Sequence, residues 1–189
     1  ILDTIRTEVQ ENFPYKSIKV ERCEADDIIA TLTKHYHDKE KIMIVSSDKD
    51  FQQLFRYPNV KQYSPIKKSL VTCAEPDRYL FEHIIKGDAT DGIPNILSAD
   101  DTFAVDGKRQ KPLAAKKLAQ WKTFSDVPQE HQTNINRNQM LVDHTYIPME
   151  YENAILEEFK EPPEGDRSKL FDYFVEKRLK NLMDVIQDF

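Results

Sequence analysis

With 189 residues, 39% of them hydrophobic and 32% charged, the chain holds enough apolar material for one globular domain, or one and a half. A net charge of −6 and a pI near 5.4 exclude a uniformly basic nucleic-acid binder, so a polyanionic partner would require clustered cationic side chains and acids neutralised by bound cations. Cys23 and Cys73 match neither a metal-ligand spacing nor a disulfide framework, no apolar run is long enough to cross a bilayer, and no signal peptide is visible, which together point to a reducing cytoplasm.

In chain order, Ile1 to about Glu11 reads as the interior of an amphipathic helix, with Ile1, Ile5 and Val9 on one side. It has neither an initiator Met nor a cap, so the chain is expected to be a fragment or to lack its front half. "SIKVERC" (17–23) predicts a short strand. "EADDIIATLTKHYHD" (24–38) predicts a helix with Ala25, Ile28, Ile29, Leu32 and Tyr36 as its apolar stripe. "KIMIVSS" (41–47) is a near-continuous hydrophobic strand, of the kind buried in a parallel sheet, and "FQQLF" a short helix after Asp50. "VKQYSPIKKSLVT" (60–72) predicts two short strands around a Lys-Lys turn. "EPDRYLFEHIIKG" predicts a helix opened by Pro76 and stopped by Gly87. An irregular segment runs to about Gln110, followed by "PLAAKKLAQWK" and helical stretches near 128–143, 148–160 and 167–187. The expected architecture is α/β, with part of a parallel-sheet core in 1–75 and an all-α region in 76–189.

Three acid clusters stand out: Glu24 with Asp26 and Asp27, Asp48 with Asp50, and Asp88 with Asp91. If the strands at 17–23 and 41–47 are parallel, Asp26 and the Asp48/Asp50 pair share one sheet edge. Asp88 and Asp91, three residues apart, point the same way on one helical turn. Converging carboxylates suit hard, oxygen-liking cations such as Mg²⁺ or Mn²⁺, whose charge removes the repulsion within "SSDKDF". Singly, each cluster also has a bland explanation: acids favoured at a helix N-terminus, caps for "FQQLF", or turn residues around Gly87 and Gly92. Asp27 is expected to face water, and Asp100-Asp101 to lie in a solvated loop. A Toprim arrangement and a metal-dependent 5′-nuclease arrangement both use such spacings; "KGDATDGIP" (86–94), placed where the all-α part begins, favours the second.

"CEADDIIATL", "IVSSDKDFQQL", "YPNVKQYSP" and "IIKGDATDGIP" resemble successive motifs of the flap endonuclease / 5′–3′ exonuclease family, in its phage form, and the likeness continues through "NRNQMLVDHTYIP" to the final "IQDF". The resemblance implies a PIN-like nuclease core followed by a helix–three-turn–helix, and a two-metal enzyme with ribonuclease H activity that removes RNA primers and 5′ flaps during DNA replication. By matching motifs, Asp26 and Asp48 would hold the first ion. Asp50, Asp88 and Asp91 would serve the second, with Glu24 nearby and Asp26, Asp48 and Asp50 as the catalytic carboxylates. The five histidines support no nucleophile, and His35 and His37 are expected at the surface.

The same resemblance assigns Lys108, Arg109, Lys111, Lys116 and Lys117 to DNA phosphates; for Lys117 a solvated helix face competes. It implies flap or branched DNA and RNA–DNA hybrids as substrates, replication proteins such as a single-strand binding protein or sliding clamp as partners, a monomer, and the cytoplasm of a bacterial host. Two departures matter. Gly92 stands where Asn is usual after the last Asp, and an acidic insertion, "NILSADDTFAVDGKRQ", replaces the glycine-rich hairpin. Both argue against a bound monovalent ion there, though not against DNA binding. The family's first Asp-bearing strand, second acidic motif and helical arch do not precede Ile1, which leaves a catalytically silent DNA-binding module as the competing reading and a Toprim-type nuclease as a weaker one. The last helix, with Leu182, Met183 and Ile186, is a possible partner surface, although such a stripe is more often core.

Overall fold

The computed structural model describes residues 1–189, which gather into two compact units: 24–149, and 1–23 together with 150–189.

In the unit 24–149 the backbone is an α/β layer running into helices. Helix α2 (Ala25–Tyr36) opens with a capping box in which the Glu24 amide donates to the Asp27 carboxylate at 2.9 Å. Asp27 therefore does not simply face water; its charge satisfies an amide that the first turn leaves open. The helix is most deeply buried at Ala30, Thr31 and Thr33, while the expected stripe of Ile28, Ile29, Leu32 and Tyr36 is only half covered and Ala25 is exposed. Ala30 meets Ile44, Phe51 and Leu54, where a small side chain admits close approach.

Strand β1 (Ile42–Val45) pairs in parallel with β2 (Val60–Ser64), from Ile42 opposite Val60 to Val45 opposite Tyr63; β2 pairs antiparallel with β3 (Ser69–Val71). The parallel partner of β1 is thus β2 and not residues 17–23. The 3₁₀ turns of Asp50–Arg56 make the crossover between them. Buried Gln62 on β2 donates its amide to the Ser46 carbonyl at 2.9 Å and the Asp48 carbonyl at 2.5 Å, so the sheet itself fixes the loop leaving β1.

Helix α3 (Pro76–Lys86) starts at a proline whose missing N–H costs nothing there and stops at Gly87, where φ is +66°. Its Leu80, Phe81, Ile84 and Ile85 form the main core with Ile93, Ile96, Trp121, Val127, Ile135 and Val142. Helices α4 (Ala115–Gln120) and α5 (Gln132–Val142) complete this unit. Fully buried Asn138 on α5 donates to the carbonyls of Ile84 at 2.7 Å and Pro94 at 3.0 Å, satisfying two acceptors that the end of α3 and the chain after it leave open.

In the unit formed by 1–23 and 150–189, α1 (Leu2–Asn12) takes the predicted helix and α6 (Met149–Lys160), α7 (Arg167–Glu176) and α8 (Lys180–Met183) follow late in the chain. The expected strand at 17–23 is absent: Cys23 N–H bonds the Val20 carbonyl at 3.2 Å and Arg22 lies at φ +65°, so the segment closes into a turn. The expected helical stretch 167–187 breaks at Arg178, φ +55°, where the Leu179 N–H caps α7 on the Phe174 carbonyl at 2.9 Å. Phe174, Leu170 and Ile155 are the buried centre, with the Phe13 ring edge-on to Phe174 at 5.9 Å and to Phe189 at 5.8 Å. Leu182, Met183 and Ile186 are half-buried.

Candidate metal centre

Glu24, Asp26, Asp48, Asp50, Asp88 and Asp91 all line one cavity of about 510 Å³ within the unit 24–149. Three stretches of chain bring them there. Glu24 and Asp26 ride on the N-terminus of α2, where the capping box sets the first turn. Asp48 leaves β1 on the loop that Gln62 holds, and its carboxylate accepts the Asp50 N–H at 2.9 Å, starting the turns that carry Asp50. One aspartate thereby caps the segment that presents the other.

Asp88 and Asp91 arrive differently from expectation. No helical turn joins them, because Gly87 ends α3; residues 88–91 form a turn closed by a bridge in which the Ile93 N–H bonds the Asp88 carbonyl at 2.7 Å. The cavity is graded in depth. Glu24, Asp48 and Asp91 are exposed, Asp26 and Asp50 half-buried, and Asp88 buried.

The deepest carboxylates are held by donors on the protein side. Asp50 Oδ1 accepts the Tyr79 hydroxyl at 3.2 Å and lies 3.3 Å from His83 Nδ1, while Asp88 Oδ2 lies 3.3 Å from His83 Nε2 and 3.1 Å from Lys49 Nζ. Asp88 Oδ1 accepts the Thr90 N–H at 2.9 Å and also the Thr90 hydroxyl. Burial pushes the Asp50 carboxyl above the usual range, only partly opposed by His83. Burial pushes Asp88 the same way, but the Thr90 hydroxyl and amide and the Lys49 ammonium outweigh it and hold its carboxyl well below the usual range. Burial, then Asp50, pushes the Tyr79 phenol up, and the Asp88 bond raises Lys49. The lysine between the two aspartates of "SSDKDF" thus reaches past both to Asp88.

The donor set tests whether a divalent cation fits. Asp50, His83 and Asp88 offer candidate ligand atoms within 4.8 Å of one another, and Glu24, Asp26, Asp48 and Asp91 add carboxylates to the same cavity. Oxygen-rich sites of this kind suit Mg²⁺, Mn²⁺ or Ca²⁺, so the residues fit.

His83 and His144 were not among the residues singled out from sequence. Both line the cavity. His83 carries one weak signal, its place one helical turn after Tyr79 and one before Gly87 on α3. His144 has its N–H bonded to Gln53 at 3.1 Å, and burial holds its imidazole below the usual value against the pull of Asp26 and Asp50. In metal-free protein the unfolded chain therefore takes up a proton at His144 that the fold resists. Stability is expected to fall as pH drops below about 6.5, and His144→Gln to flatten that slope in urea titrations at pH 7.5, 6.5 and 5.5.

Of the residues expected to touch DNA, Lys108, Arg109, Lys111 and Lys116 are exposed, with Lys108 paired to Asp101. Lys117 is half-buried, its ammonium 5.1 Å from the centre of the Trp121 ring, so it is not on a plain solvated face. The acidic insertion is pinned at its base: the Asn95 N–H donates to Gln110 at 2.7 Å and the Lys111 N–H to the Ser98 hydroxyl at 2.9 Å.

Residues 74–189 match the family model described as T4 RNase H, C terminal, and residues 3–81 the 5′-3′ exonuclease, N-terminal resolvase-like domain. The chain belongs to the 5′–3′ exonuclease family, in its T4 RNase H group. The family includes Ribonuclease H of Enterobacteria phage T4, which is 32% identical over 195 residues covering 96% of this chain and 63% of the phage protein. DNA polymerase I of Rhizobium leguminosarum is 33% identical over 98 residues, 47% of this chain and 10% of the polymerase. A T5 5′-exonuclease mutant shares the fold at a TM-score of 0.50 and 17% identity, covering 89% of this chain and 69% of its own. The structure of a T5 protein co-crystallized with metal ions matches at the same TM-score and identity, covering 62% of its own chain. The chain thus spans somewhat under two thirds of the phage ribonuclease it matches. No helix is long and apolar enough to cross a membrane.

Proposed function

We propose that this chain carries much of the metal centre and the DNA-gripping region of a divalent-metal-dependent 5′–3′ nuclease with ribonuclease H activity, acting on 5′ flaps and RNA primers during replication. The observation that carries the reading is the convergence of Glu24, Asp26, Asp48, Asp50, Asp88 and Asp91 on one cavity from three separate stretches of sequence. Asp26 and Asp48 would hold one Mg²⁺ or Mn²⁺, and Asp50, Asp88 and Asp91 a second, with Glu24 beside them. Such ions activate a water and neutralise charge on a phosphodiester. The chain's own part is to keep a row of charged oxygens at the mouth and to fix the deeper ones through Tyr79, His83, Thr90 and Lys49. Asp26, Asp48 and Asp50 are the proposed catalytic carboxylates.

Residues 1–75 are read as the nuclease-core portion and 76–189 as the helical DNA-binding portion, a division supported by family models that meet between 74 and 81. Lys108, Arg109, Lys111, Lys116 and Lys117 are the proposed phosphate contacts, and flap DNA and RNA–DNA hybrids the partners; docking to a single-strand binding protein or clamp, and a bacterial cytoplasm, belong to the same reading. Lys116→Ala is expected to weaken duplex binding to a similar degree on every sequence and to reduce the salt slope of log K by about 1. Fluorescence anisotropy at 50 to 200 mM KCl checks this.

The test of the whole reading is cleavage of a 5′-flap and an RNA–DNA hybrid by the full-length protein with Mg²⁺, abolished by EDTA. Absence of cleavage on both substrates would remove it. A silent DNA-binding module is the second reading; robust turnover by the 189-residue chain alone would exclude it.

A further inference from the structure

The two deepest carboxylates of the cavity come from distant points in the chain, and one imidazole lies between them. His83 is 7% exposed and Asp88 6%. Each His83 nitrogen faces a different aspartate oxygen at 3.3 Å, Nδ1 toward Asp50 and Nε2 toward Asp88. A polar ring buried beside Ile84 and Ile85 is costly unless its nitrogens are used. Neither nitrogen has a well-formed hydrogen bond, so the carboxylates are its available partners.

We propose that His83 is a positioning residue of the metal centre: its ring bridges Asp50 and Asp88 and sets the separation and orientation of the two carboxylates. This rests on the metal-centre reading above and adds to it a group that the acid motifs do not contain. The geometry explains a division of labour among oxygens. Asp50 Oδ1 faces Tyr79 and His83, which leaves Oδ2 for the cavity. Asp88 has both oxygens engaged, Oδ1 by Thr90 and Oδ2 by His83 and Lys49. Asp88 is therefore the more firmly fixed of the pair, and His83 transmits that fixity to Asp50. The ring has a rigid base, because the two residues that follow it on α3, Ile84 and Ile85, are packed in the core.

Groups that orient metal ligands from behind change metal affinity by about 10- to 100-fold when lost. The test is Mn²⁺ binding to the full-length protein without substrate, followed by electron paramagnetic resonance, together with the unfolding temperature in EDTA. His83→Gln keeps one donor and is expected to bind Mn²⁺ about 10-fold more weakly; His83→Phe fills similar space with none and is expected to lose closer to 100-fold. A purely structural role would lower the unfolding temperature in EDTA and leave the Mn²⁺ dissociation constant unchanged, and affinity within twofold of the unaltered protein in His83→Gln would overturn the proposal. Should His83→Phe fail to fold, His83→Gln alone decides. A strong directly coordinated ¹⁴N coupling in the unaltered protein that His83→Gln abolishes would also overturn it, by making His83 a ligand. Failure of the unaltered protein to take up Mn²⁺ would instead overturn the metal centre itself, and this role with it.

Discussion

Asp48→Asn and Asp50→Asn in the full-length protein are each expected to lower Mg²⁺-dependent cleavage of a 5′ flap by at least about 100-fold while leaving the fold intact. The side-chain oxygen of asparagine can still accept the Asp50 N–H that Asp48 caps at 2.9 Å, and at position 50 it can still accept the Tyr79 hydroxyl at 3.2 Å. What each substitution removes is charge. For Asp50 the sign of the stability effect follows from its environment. Burial raises its carboxyl above the unfolded value, so ionised Asp50 opposes folding at neutral pH and the metal-free fold gains stability as pH falls through that raised value. A neutral asparagine removes that opposition. Metal-free Asp50→Asn should unfold at the same temperature as the unaltered protein or higher, and should lose most of the stabilisation that Mg²⁺ confers. Unaltered activity in both variants would show that these carboxylates do not serve the reaction.

The second large effect is expected at Gly87. Its φ of +66° and ψ of −173° fall in a region that only glycine occupies without strain. A Cβ there would lie 2.3 Å from the Ile93 carbonyl oxygen and 2.7 Å from the Pro94 carbonyl carbon, both backbone atoms. Backbone cannot rotate away as a side chain can, so the bridge between Asp88 and Ile93 must open. Gly87→Ala is expected to cost about 3 kcal/mol or more in urea unfolding. Because that bridge places Asp88, Mn²⁺ affinity should fall as well. Gly92 is the control: it also has positive φ, +75°, but a Cβ there meets nothing within 4 Å, so Gly92→Ala should cost only about 1 to 2 kcal/mol.

The convergence of the six acids was legible in the sequence, yet part of the reason for it was not. Asp26 and Asp48 share a cavity although residues 17–23 form no strand, the segment closing instead into a turn with Arg22 at positive φ. Asp88 and Asp91 were expected on one helical turn, which takes no account of how completely Gly87 redirects the chain. The strong local signals, Pro76 and Gly87 around α3 and the two strands flanking Lys67-Lys68, correspond to observed elements. His83 was invisible because its meaning depends on Asp50, 33 positions before it, and on the turn after α3. Thr31 and Thr33 on α2 likewise read as polar, and their burial is set by tertiary packing alone.

The most direct test is a crystal of this chain soaked in Mn²⁺ and measured for anomalous scattering. Strong peaks among the oxygens of Asp26, Asp48, Asp50 and Asp88 are the predicted result. Peaks confined to other parts of the surface, with none in that cavity at millimolar Mn²⁺, would contradict the account.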